Sequence, residues 1–129
     1  MSDIVQYIII RKDLNMRKGK MVAQGAHASL SIFTKRINTN TGAAPVEINL
    51  TEDMEEWLQG SFTKICLYVN SEADLMSLYN RAKVGGFLTS LITDKGLTEF
   101  NNIPTRTCIA IGPVEKEKVK HLTENLKLL

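Results

Sequence analysis

Residues 63–93 read TKICLYVNSEADLMSLYNRAKVGGFLTSLIT, and this stretch decides the fold. Thr63 to Val69 and Leu88 to Thr93 are strand-length and rich in strand-favouring apolar residues. Between them Ser71-Glu72-Ala73-Asp74 resembles a capping box, with Asp where Glu or Gln is usual. The helix it opens reaches a stop at Gly85-Gly86. Strand, helix and strand in that order predict two parallel strands joined by a right-handed crossover.

Upstream, Ile4 to Ile10 is apolar and β-branched with no room for a solvated face, which predicts a central strand buried on both sides. Arg11 to Gly19 is turn-like, and a helix rich in Ala, Met and Leu follows from Lys18 or Gly19 to Arg36. Asn38 to Pro45 predicts a mobile loop. A short helix is expected at Thr51 to Leu58, capped by Thr51 and ended by Gly60. Downstream, Asp94 to Pro104 is a polar loop and Thr105 to Ile111 a fourth strand. Gly112-Pro113 is expected to break that strand before a last helix at Glu115 to Leu126. The expected fold is α/β: a small mixed sheet of about four strands with helices on both faces.

The chain has 129 residues, 43% hydrophobic and 23% charged, which suits a single domain over residues 1–129 and leaves no room for a second. Its apolar stretches fall far short of the roughly 20 residues that span a bilayer, and Met1-Ser2-Asp3-Ile4 has no secretory character. A soluble, cytoplasmic protein without membrane partners is expected. Cys66 and Cys108 lie in apolar strands, so both are expected to be buried thiols. Neither His27 nor His121 has a Cys or a second His at ligand spacing, so no metal is expected.

The net charge of +2 conceals an asymmetry. Residues 1–37 hold seven basic side chains (Arg11, Lys12, Arg17, Lys18, Lys20, Lys35, Arg36) against Asp3 and Asp13, an excess of five, whereas the remainder is acidic by three. Such a basic third fits a polyanionic partner, or equally a solvated helix surface.

At about 100° per residue, Lys20, Gln24, His27 and Ser31 form one polar stripe on the long helix, flanked by apolar residues. A stripe hemmed in this way fits the wall of a cleft. It equally fits a Lys at a solvated helix start with Gln24 and His27 in ordinary core hydrogen bonds. Asp94 follows the strand ending at Thr93, where open α/β sheets tend to bind ligands, and a carboxylate there could orient water or hold a Lys. An Asx turn built on Asp94-Lys95-Gly96 is the competing explanation. No serine-hydrolase elbow, phosphate loop or dinucleotide fingerprint is present.

The run RKDLNMRKGKMVAQGAHA from Arg11 to Ala28 closely resembles the opening motif of the archaeal and eukaryotic-type peptidyl-tRNA hydrolases. Thr89 to Asp94, Thr105 to Pro113 and Leu126 to Leu129 agree with that family in order and spacing. The resemblance implies hydrolysis of the ester joining a peptide to tRNA, without a cofactor. It implies Lys20, Asp94 and Thr98 as catalytic groups and Gln24, His27 and Thr107 as substrate-positioning ones. Arg11, Lys12, Lys18, Lys35 and Arg36 would meet the acceptor stem of peptidyl-tRNA; a homodimer is possible, and the sequence leaves the oligomeric state open. This chain departs from the usual family loop at Lys95, Leu97 and Glu99. Those departures support the rival expectation of a non-catalytic tRNA- or protein-binding domain.

Overall fold

The structure is a computed structural model and describes residues 3–38 and 45–129. Strands β1 (Ile4–Arg11), β4 (Lys64–Val69), β5 (Thr89–Asp94), β6 (Thr105–Glu115) and β7 (Lys127–Leu128) form one sheet in the order β5-β6-β1-β4-β7. β2 (Ile37–Asn38) and β3 (Glu47–Ile48) form a separate two-stranded ribbon. The helices are α1 (Lys18–Thr34), α2 (Glu52–Gln59), α3 (Glu72–Val84) and the single turn α4 (Lys120–Thr123).

β1 is central and buried at all eight positions, as its largely apolar sequence favours, with Gln6 and Arg11 buried as well. Its side chains alternate between two cores. Val5, Tyr7 and Ile9 pack with Leu75 and Leu78 of α3 and Leu122 of α4, whereas Ile4, Ile8 and Ile10 pack with Ala28 and Ile32 of α1 and with Met54 and Trp57 of α2.

β1 pairs in parallel with β4 and antiparallel with β6, and β6 pairs antiparallel with β5. β4 and β5 therefore run in the same direction, as expected of the strand, helix, strand unit, but β1 and β6 lie between them. The carboxyl ends of β1, β4 and β5 share one edge of the sheet.

Four expectations need correction. β6 does not stop at Gly112-Pro113 but continues to Glu115. Its register against β1 shifts between Val5 and Tyr7, and at such a bulge a proline costs no ladder hydrogen bond. The last helix shrinks to a 3-10 turn at Lys116–Val119 and the single turn of α4. Lys127 and Leu128 instead pair with β4 as a fifth strand. Cys66 is exposed, because on β4 it points away from the face that buries Leu67 and Val69. Residues 39–44 of the expected loop lie outside the described residues.

The caps follow their local sequence. Thr51 accepts the backbone N–H of Met54, Ser71 accepts that of Asp74, and Gly60 and Gly85 close α2 and α3. α1 is fastened to the sheet by polar contacts: Gln6 donates to Ser29 O (3.2 Å), the Ser29 hydroxyl donates back to Gln6, and Ser31 meets Ser90 of β5. These fastenings set the rotation of α1 and turn Lys20 and Gln24 toward the end of β5.

Candidate active site

Lys20 Nζ donates to Asp94 Oδ1 at 2.9 Å and to Thr98 Oγ1 at 2.9 Å. Gln24, one turn further along α1, donates from Nε2 to the same Asp94 oxygen at 3.3 Å. Thr107 of β6 donates to Gln24 Oε1. The amide of Gln24 is thus oriented from both sides, its nitrogen on a carboxylate and its oxygen on a hydroxyl. The second Asp94 oxygen accepts the backbone N–H of Gly96 at 2.8 Å. This is the expected Asx turn, so the turn and the lysine contact coexist on one carboxylate.

Hydrogen bonding by Lys20 is the main cause holding the Asp94 carboxyl below its usual range. Partial burial opposes it, while the Gly96 N–H, the lysine charge and Gln24 lower it further. Asp94 is therefore ionised at neutral pH. Lys20 and Asp94 side chains are 14% and 15% exposed, so the pair is largely shielded yet keeps a face open to ligand. Lys20 has a third proton beyond the two it commits, and Thr98, which accepts from Lys20, keeps its hydroxyl hydrogen free.

The stripe divides. Lys20 and Gln24 join the cluster and Ser31 joins β5, whereas His27 is exposed and has no hydrogen-bond partner among the described residues. Gln24 and Thr107, expected to position substrate, are 2% and 0% exposed. Thr107 bonds Gln24 and Gln24 bonds Asp94, so both can act on a substrate only through Asp94.

The five expected phosphate-binding residues do not form one patch. Lys12, over the Tyr68 ring of β4, and Lys18, at the start of α1, are exposed; Lys35 and Arg36 stand at the far end of α1, about 25 Å from Lys18 at 1.5 Å per residue. Arg11 is buried, with Nη2 on Asp13 Oδ2 at 2.7 Å and Nη1 on the Arg106 carbonyl at 3.0 Å. Sequence reasoning gave no site role to Arg17, Glu99 or Arg106. Arg106 is half-exposed and sits 3.6 Å from Glu72, and only the register of β6 brings it to this edge.

Gly96, which closes the Asx turn, meets a strict backbone need. Its φ is +82°, and an added Cβ would lie 2.2 Å from the Ile103 carbonyl oxygen. An apolar groove of about 1090 Å³ lies elsewhere, on the opposite flank of α1, lined by Met21, Val22, Leu30, Trp57, Leu58 and Phe62.

Fold and cluster together define a small α/β protein with a charged, hydrogen-bonded site at the carboxyl ends of its strands. The sequence model of the peptidyl-tRNA hydrolase PTH2 family matches residues 4–129, and the chain belongs to that family. A protein of Methanocaldococcus jannaschii named peptidyl-tRNA hydrolase is 40% identical over 122 residues, covering 95% of this chain and 96% of that protein. One of Saccharolobus solfataricus with the same name is 35% identical over 126 residues, covering 98% and 99%. A Dictyostelium discoideum protein named probable peptidyl-tRNA hydrolase 2 is 35% identical over 127 residues, covering 98% of this chain and 55% of its own length.

Proposed function

We propose that the chain hydrolyses the ester between a peptide and tRNA, freeing tRNA from peptidyl-tRNA left by aborted translation. The observation that carries this is the meeting of Lys20, Asp94 and Thr98 within a chain matched by the family from residue 4 to 129.

Ester hydrolysis needs an oriented water, a counter-charge for the tetrahedral oxyanion and a proton for the departing ribose oxygen. Lys20, fixed by Asp94 and Thr98, directs its remaining proton at the bound ester and stabilises the oxyanion. The Asp94 carboxylate and the Thr98 hydroxyl hold the water. As the water oxygen bonds the carbonyl carbon it loses a proton, and as the ester C–O bond breaks the ribose oxygen gains one. Thr98 both accepts and donates, so it is suited to relay that proton. Gln24 and Thr107 are positioning residues that aim Asp94, while exposed His27 faces the substrate.

Lys12 and Lys18 meet phosphates of the acceptor stem closest to the ester, and Lys35 and Arg36 meet the stem further along. Arg11 supports this surface from beneath by holding the turn Lys12–Leu14 through Asp13. The chain acts in the cytoplasm, where translation strands such molecules; no helix among the described residues is long and apolar enough to cross a membrane. Two copies associate over the apolar groove. The lysine Lys64 in its lining complements the acidic outer side of α2 (Glu52, Glu55, Glu56) in the partner. Sedimentation at the mass of one chain across micromolar concentrations would refute that assembly.

Incubation with N-acetylated aminoacyl-tRNA tests the activity. Free tRNA and the acylated amino acid are expected from the unaltered protein, with losses of about 100-fold or more in Lys20→Ala and Asp94→Asn. Binding of tRNA without release would instead establish the non-catalytic alternative. Full turnover by either variant would remove its residue from the site.

A further inference from the structure

α1 begins without a cap of its own. Its N-cap residue, Arg17, makes no capping side-chain hydrogen bond, and the first turn holds no acidic residue. Arg17, Lys18 and Lys20 crowd cations against the positive end of the helix dipole. The compensating anion comes from the far end of the chain. Glu99 Oε2 accepts the backbone N–H of Arg17 at 3.4 Å, and Glu99 Oε1 pairs with Arg17 Nε at 3.2 Å. The Glu99 side chain is 17% exposed while that of Arg17 is 85% exposed, so the carboxylate is the ordered partner and the guanidinium the solvated one.

Thr98 and Glu99 are adjacent in the loop after β5, and Lys20 and Arg17 are three residues apart on α1, about 4.5 Å along the helix. Two successive loop residues thus grip two rungs of one helical turn. Within the loop, Gly96 binds back to Asp94 and Asn102 binds to Gly96, and neither bond reaches α1.

Taking the hydrolytic site as read above, we propose that Glu99 is a positioning residue for it. Its carboxylate fastens the loop to the start of α1 and so sets the Thr98 hydroxyl on the Lys20 ammonium. Without it Thr98 keeps its chemistry and loses its place. Misplacement of about 1 Å at a reacting group can cost roughly 100-fold in rate, so a partial loosening is expected to cost about 10-fold.

Steady-state hydrolysis of N-acetylated aminoacyl-tRNA by Glu99→Ala and Glu99→Gln tests this, with thermal unfolding as a check on folding. Glu99→Ala is expected to lower kcat about 10-fold without raising KM, because loss of an anion beside the basic edge does not weaken phosphate binding. Glu99→Gln, whose amide oxygen can still accept the Arg17 N–H, is expected to recover kcat to within about 3-fold of the unaltered protein. Unchanged kcat in Glu99→Ala overturns the proposal, as does a loss carried in KM alone. Equal losses in both variants overturn it too, since they would show charge rather than attachment to be the requirement. Lys20→Ala separates the two levels: if it is inactive and Glu99→Ala is normal, only the attachment fails; if it is fully active, the site itself is misassigned.

Discussion

Thr107→Val is the sharpest perturbation of the cluster, because it changes one hydroxyl to a methyl of the same shape. Thr107 is fully buried and its hydroxyl donates to Gln24 Oε1, which belongs to a side chain 2% exposed. In Thr107→Val that amide oxygen keeps its burial and loses its donor, a cost of about 1–3 kcal/mol. For a domain of this length that lowers the unfolding midpoint by roughly 3–10 °C. The amide, no longer oriented, holds Asp94 less well through its 3.3 Å bond, so kcat should fall about 5- to 10-fold, or roughly 1 kcal/mol of barrier. Thr107→Ser is the control. It sacrifices a buried methyl, about 1 kcal/mol, but keeps the hydroxyl and should keep the rate. In a Gln24→Leu background no orphaned carbonyl exists, so Thr107→Val should cost much less there, giving a coupling energy of about 1 kcal/mol or more. Calorimetry and single-turnover hydrolysis measure both quantities. If Thr107→Val turns over within twofold of the unaltered protein, or its stability cost is the same in both backgrounds, the Thr107–Gln24–Asp94 chain does not act as a unit.

Gly96→Ala must accommodate a left-handed φ, about 1–2 kcal/mol, and a Cβ 2.2 Å from backbone. It should lower both the unfolding midpoint and kcat, with a loop displaced enough to lose the Gly96 N–H from Asp94. The Asp94 carboxyl is depressed in the folded protein relative to about 3.9 unfolded, so its stabilisation is fully present above pH 4 and disappears as pH falls through the lowered value. Urea unfolding of the unaltered protein and Asp94→Asn should therefore show a stability difference that is constant from pH 5 to 7 and shrinks below 4; a difference that grows on acidification would contradict the sign. A thiol reagent at pH 8 should label Cys66 rapidly in the folded protein and Cys108 only after denaturation, since burial pushes the Cys108 thiol up to about 12. Two fast thiols would be inconsistent with this core.

Signals that act within a few residues were legible in the sequence. The largely apolar run of β1, the caps at Thr51 and Ser71, the stops at Gly60 and Gly85 and the polar stripe of α1 all appear where chain-local physics puts them. Together with the resemblance of Arg11 to Ala28 to a family motif, they determined the α/β class and named the residues of the cluster. Misreadings came where a local preference met a long-range partner. Gly112-Pro113 breaks most strands, but the bulge opposite Val5 and Tyr7 accommodates it. The last segment has helical composition, yet the open edge of β4 offers Lys127 and Leu128 backbone partners that a lone helical turn does not.

Which members of the α1 stripe meet Asp94 was decided by tertiary structure alone. Lys20 and Asp94 are 74 residues apart, and their contact depends on how far α1 is rotated when Gln6 binds Ser29 and Ser90 binds Ser31. The same rotation leaves His27 outside the cluster and turns Gln24 inward. Burial is likewise a property of the assembled sheet. It takes Arg11 out of the basic surface and exposes Cys66, because no single stretch of sequence carries the surfaces that will cover it.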